Sequence, residues 1–110
     1  MGTERLRRHY GTLRHLAKCS AEDCRHLMSS ASDDLITTLS EICHNLLVGN
    51  IPLTEEQLET LRESADVLRE VSKKATSIKK KRAVLVQEGG FLIPALLGVA
   101  VPLIKSILRI

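Results

Sequence analysis

Three cysteines and three of the four histidines gather in residues 15–44: Cys19, Cys24 and Cys43, with His15, His26 and His44. Three thiolates and one imidazole suffice for a tetrahedral zinc site. The spacing argues against one. Four residues separate Cys19 from Cys24, the loose edge for a ligand pair, and Cys43 and His44 are adjacent, so on a helix they point apart. Cys43 also falls within an apolar stripe, where a free thiol behaves as a small hydrophobe. Buried or partly buried thiols are therefore expected, with no metal and no cofactor. The same residues make no catalytic nucleophile, because no third group orients a base and no loop offers oxyanion donors. The acids Glu55, Glu56, Glu59, Glu63, Asp66 and Glu70 follow helical spacing along an exposed face. They suit ion pairing rather than acid–base catalysis. No Gly-rich phosphate loop or metalloprotease helix is present, and the chain reads as non-enzymatic.

Two further segments carry a chemical signal. In residues 73–82 six of ten side chains are cationic: Lys73, Lys74, Lys79, Lys80, Lys81 and Arg82. Charges this dense hold counterions or find phosphates, so the block suits a nucleic-acid backbone, a nuclear-import signal or anionic lipid. The alternative is a solvated face paired with the acidic helix before it. Base-specific reading is not expected, since neither a recognition helix nor stacking aromatics are present. After Gly89-Gly90, fourteen residues (91–104) carry no charged or polar side chain, interrupted only by Pro94, Gly98 and Pro102. A spanning helix needs roughly 20 apolar residues. The candidate docking residues are Phe91, Leu92, Ile93, Leu96, Leu97, Val101, Leu103 and Ile104. Membrane insertion, docking in a protein groove, self-association and completion of the chain's own core all remain open for them.

These segments are positioned by helices. With one Phe, one Tyr and no Trp in 110 residues, aliphatic side chains must fill the core, which suits helices better than sheets. Leu6, Tyr10, Leu13 and Leu16 recur at helical spacing over residues 4–18. Ser20 caps a short second helix with Cys24, Leu27 and Met28 on its buried edge. Ser32 or Asp33 caps a third, whose stripe of Leu35, Ile36, Leu39, Ile42, Cys43, Leu46 and Leu47 makes it the leading candidate for the central helix. Gly49-Asn50 stops it. Thr54-Glu55-Glu56-Gln57 is a capping box, opening one helix to about residue 73. Thr76-Ser77 starts a short helix that ends at Gly89-Gly90, and Pro94 is a further starting point.

The spacing thus predicts an all-α fold, a small bundle of four to five short helices plus a hydrophobic C-terminal helix. Residues 1–88 form the body, 89–90 a Gly-Gly hinge, and 91–110 a Pro-containing tail that can leave the body. Within the body, residues 1–19 carry +4, residues 20–70 carry −8, and the basic stretch then begins, with residues 71–110 carrying +7. The basic ends either fold onto the acidic middle or face an anionic partner. An odd cysteine count gives no complete disulfide framework, and no secretory signal layout opens the chain. An intracellular, reducing location is expected, nuclear if the basic block is an import signal.

Residues 77–98, SIKKKRAVLVQEGGFLIPALLG, together with NLLVGNIPLT at residues 45–54, resemble small basic proteins of adintoviruses and Polinton-type elements. Those proteins are themselves likened to the adenovirus core protein X precursor. The resemblance covers about residues 43–104. It implies a virion- or element-associated accessory protein, bound to condensed DNA or active on membranes. It also implies proteolytic cleavage near Gly89-Gly90. Gln87 stands where an aliphatic residue is usual at such a site, and the acidic middle makes this chain less basic than a DNA-condensing protein. The rival reading is a plain helical interaction module whose C-terminal segment completes its own core.

Overall fold

The computed structural model describes residues 3–110. Six helices account for the fold: α1 (Thr3–Leu16), α2 (Ala21–Ser29), α3 (Asp33–Leu47), α4 (Glu55–Arg62), α5 (Ala65–Ser72) and α6 (Ile78–Leu108). This is the expected all-α bundle of five short helices and one apolar C-terminal helix. The caps sit where the sequence places them. Ser20, Ser32 and Ser77 each accept a hydrogen bond from the backbone N–H three residues on, which satisfies one of the donors a helix start leaves open. Thr54 and Gln57 form the reciprocal capping box. Gly49, at φ +81°, reverses the chain after α3.

Three features depart from the sequence expectation. The helix opened by Thr54 does not run to residue 73. It breaks at Glu63-Ser64, where Ser64 leaves helical geometry at φ −111° and ψ 20°. The break re-aims the chain so that Leu61 on α4 and Leu68 and Val71 on α5 all reach the core, while Leu58 stays half-exposed. The second departure is Gly89-Gly90. Helix α6 runs unbroken through both glycines for 31 residues, and both are buried. A β-carbon on Gly90 would lie 3.1 Å from Ala21 Cβ and 3.2 Å from the Ala21 carbonyl oxygen. The glycine therefore admits α2 against α6, a packing role and not a hinge. Third, the central helix is α6 and not α3, because all five other helices pack on it.

Residues 91–110 accordingly are not a detached tail. Leu85, Leu92, Ile93, Leu96, Leu97, Ala100, Ile104 and Leu108 are buried along one seam of α6, joining Leu6, Leu13 and Leu16 of α1, Met28 of α2 and Ile36, Leu39 and Ile42 of α3 in a single core. Pro94 and Pro102 both lie inside this helix. A proline ring clashes with the carbonyl four residues earlier, and in each case that residue is a glycine, Gly90 or Gly98. Glycine lets the backbone yield there at least cost.

Two substitutions separate these glycine roles. Gly98 is exposed, with open space around a would-be β-carbon, so the propensity gain of Gly98→Ala is set only against the backbone freedom that Pro102 uses, and unfolding stability should change by less than about 1 kcal/mol. Gly90→Val should lower it by about 1–3 kcal/mol by forcing α2 off α6. Urea denaturation of both variants measures the two effects. Equal effects of the same sign would contradict the packing role.

Candidate functional site

The basic block does not act as one unit. Ser77 starts α6 with three lysines in its first turn and no acid there, the charge pattern a helix N-terminus disfavours. The six cations then divide by position. Lys73 and Lys80 both approach Glu70, at 3.4 and 3.5 Å. Burial raises the Glu70 carboxyl, but these two ammonium groups outweigh it and hold the group below the usual carboxylate value. Arg82 turns back to the α2–α3 connection, donating to the Ala31 carbonyl at 2.8 Å and to Asp33 at 2.7 Å. Lys74 and Lys79 are exposed and, among the described residues, have no carboxylate within 4.0 Å.

Lys81 is the exception within the group expected to reach a phosphate on the surface. Only 5% of it is exposed. Its Nζ donates to Ser40 Oγ at 2.8 Å, and Ser40 in turn donates to the Val71 carbonyl at 2.7 Å. Helical phase explains the placement: Lys81 lies four residues before Leu85 and so continues the buried seam of α6. This ammonium also opposes, without cancelling, the effect of burial on Cys43, whose thiol is pushed up to about 12. That thiol stays protonated and unreactive at neutral pH.

At the other end of the chain, α1 is clamped to α3. Arg5 Nη1 meets Glu41 at 2.6 Å, and Arg5 Nε meets Asp34 at 3.3 Å. Arg8 and His9 reach the other Asp34 oxygen at 2.9 and 2.6 Å. The hydrogen bond from His9 is the main cause of a lowered Asp34 carboxyl, with Arg8 and Arg5 adding to it against some desolvation. The basic N-terminus thus folds onto the acidic middle.

The cysteines correct the expectation of free thiols. Cys19 and Cys24 are joined in a disulfide across the α1–α2 turn, and Cys43 alone is free and buried. The bond consumes the two sulfurs a zinc site would need. Among the described residues no group of three metal-binding side chains is assembled.

The apolar candidates divide by helical face. Leu92, Ile93, Leu96, Leu97 and Ile104 are buried, and Val101 and Leu103 are half-buried. Phe91, the only phenylalanine, is 81% exposed. It heads an outer stripe that continues through Ala95, Gly98 and Pro102 at helical spacing. Towards the C-terminus, Leu6, Ile42, Ile51, Ala100, Leu103, Ile104 and Ile107 line a mostly apolar notch of about 170 Å³. The positions of Phe91 and of this notch follow from no sequence signal, because residues 89–104 of α6 are apolar on every side.

Comparison with protein-family models, with curated proteins and with solved structures finds no match.

The Asp34 cluster sets an acid limit. A carboxylate lowered in the native state contributes stability that is full above its unfolded value, about 4. That contribution is lost as pH falls through the lower native value. Asp34→Asn should therefore lower the urea midpoint at pH 7, and it should lose less than wild type between pH 5 and pH 2. An identical acid loss in both proteins would remove Asp34 from this role.

Proposed function

We propose that the chain is a non-enzymatic accessory protein, of the virion- or element-associated kind its sequence resembles. In this reading it holds a membrane-competent helix inside a packed bundle and presents that helix to an anionic lipid surface. The observation that carries the reading is α6 itself. By length and composition it can cross a membrane, yet only 39% of its most apolar stretch is buried. A helix apolar on all sides belongs wholly in a core or in lipid, and this one has its outer stripe in neither. Exposed Phe91 is the largest part of that stripe.

Charge supports the same placement. Lys73, Lys74, Lys79 and Lys80 are exposed at one end of α6, and Lys105 and Arg109 are exposed at the other. Each cation near an anionic leaflet contributes about 1 kcal/mol. Four surface lysines, two of them sharing Glu70, fit a lipid headgroup layer better than the demands of DNA condensation.

The second reading, a helical interaction module with α6 as its own core, is favoured by the burial of Leu92, Ile93, Leu96, Leu97, Ala100 and Ile104. The two differ in what the outer face of α6 does. Moving a phenylalanine from water into lipid is worth about 2 kcal/mol, roughly a thirtyfold change in partitioning. Phe91→Ser should therefore leave thermal stability nearly unchanged but cut flotation with vesicles containing phosphatidylglycerol at least tenfold. Lys74→Ala with Lys79→Ala should weaken flotation further and flatten its salt dependence. If folded wild-type protein neither floats with such vesicles nor releases a trapped dye, the membrane reading fails and the interaction module remains.

A further inference from the structure

A cleft of about 750 Å³ opens between α3, the end of α5 and the start of α6, and Lys81 is part of its lining. The Lys81 ammonium carries three donors and spends one on Ser40. Among the described residues no carboxylate comes within 4.0 Å of it. A buried charge without a counter-ion is costly, and a methionine of similar volume would fill the same space without that cost. Two more cations face the cleft: Lys73, which also reaches Glu70 at 3.4 Å, and Lys74 stand at the rim, while the Ser72 and Thr37 hydroxyls donate to the Arg69 and Asp33 carbonyls. Glu41 also lines it. One Glu41 oxygen is held by Arg5 at 2.6 Å, and the other is buried with no hydrogen-bond partner.

We propose that this cleft binds a terminal phosphate group, with Lys81 as its central donor and Lys73 and Lys74 closing over it. Rotation of the partly exposed Glu41 side chain brings its unpartnered oxygen to the bound anion, and that oxygen defines which anion fits. A carboxylate repels a fully deprotonated anion but accepts a hydrogen bond from one that keeps a proton, as inorganic hydrogen phosphate does at pH 7 and a phosphate monoester does in its monoanionic form, below a second pKa of about 6. Sulfate has no such proton at neutral pH. The site therefore selects hydrogen phosphate over sulfate. A terminal phosphate fits the cleft because one side of it is free of substituents, whereas a phosphate inside a nucleic-acid chain carries a sugar on both sides. This inference rests on the cleft alone and is independent of whether α6 enters a membrane.

The test uses the full chain in phosphate-free buffer at pH 7. Inorganic phosphate should raise the melting temperature by roughly 5 °C for each tenfold excess over its Kd, while sulfate at matched ionic strength should leave it unchanged. Lys81→Met should melt no lower than wild type without phosphate and lose the phosphate response. Glu41→Gln should respond to both anions. Equal responses of wild type to phosphate and sulfate, or a full response in Lys81→Met, overturns the site. A lipid arm identifies the source of the phosphate. Preference for vesicles bearing phosphatidate over phosphatidylglycerol at equal surface charge, lost in Lys81→Met, assigns it to a headgroup. Equal binding to both vesicles with the soluble response intact assigns it to free phosphate. Vesicle binding that persists while every phosphate response is absent sinks this site and leaves the membrane reading standing.

Discussion

A helical stretch with no polar face, residues 89–104 of α6, must be covered, and five short amphipathic helices can cover only one side of it. That mismatch governs the structure. Each of α1 to α5 brings a single apolar stripe, and those stripes converge on the seam from Leu85 to Leu108. The seam has to admit them closely, which is why Gly90 lies under Ala21 and why the glycines do not separate two bodies. What the short helices cannot reach is left outside: Phe91, the ring of Pro102, and beyond them Ile107 and Ile110. The exposed apolar surface is thus a geometric remainder of covering a long greasy helix from one direction.

The segregated charge along the chain resolves in the same arrangement. The basic first helix meets Asp34 and Glu41, and the basic start of α6 meets Asp33 and Glu70. Most of these pairs are partly exposed, so each contributes little by itself. The Asp34 cluster gains from having three cationic or donor groups converge on one carboxylate. Once these pairs form, the cations that remain are few and differ in kind. Lys74 and Lys79 sit in solvent, whereas Lys81 is enclosed. A charge count along the sequence sums these six side chains. The fold separates them into surface partners, loop anchors and one buried donor.

The local grammar was legible. Ser20, Ser32, Thr54 and Ser77 announce helix starts through side-chain chemistry that acts within four residues, so no tertiary information is needed to read them. The stripe of α3 was legible for the same reason, since its apolar and polar positions alternate at the helical period. The course of α6 was not. Glycine and proline ordinarily punctuate helices, and five of them from residue 89 to residue 102 suggest a hinge and a new start. Tertiary packing overrode that propensity, because breaking α6 would have split the only surface all five helices share. The burial of Lys81 is hidden in the sequence for the same reason. In a run of four cations nothing local shows which one falls on the buried phase; only continuation of the seam through Leu85 does. The Cys19–Cys24 bond is not legible in the sequence, because an odd cysteine count gives no complete disulfide framework. Yet the α1–α2 turn brings the two Cα atoms to 6.2 Å, within the usual range for a disulfide.

For the side chains of the buried seam, a protein core and a lipid interior are nearly equivalent solvents, since acyl chains are as apolar as leucine. Transfer of Leu92, Ile93, Leu96 and Leu97 from one to the other changes little. Any tendency of α6 to enter a membrane is therefore decided by the groups whose surroundings do change. Phe91 and the outer stripe gain, because they move out of water. Gln87, Glu88 and Lys81 lose, and they confine any insertion to the part of the helix after Gly89. The five short helices lose the surface they cover, unless their own apolar faces settle at the lipid interface, where amphipathic helices are stable. A helix half in contact with water is tolerable in the packed state because its covered half is well buried, and the uncovered half is what gives a lipid surface something to favour.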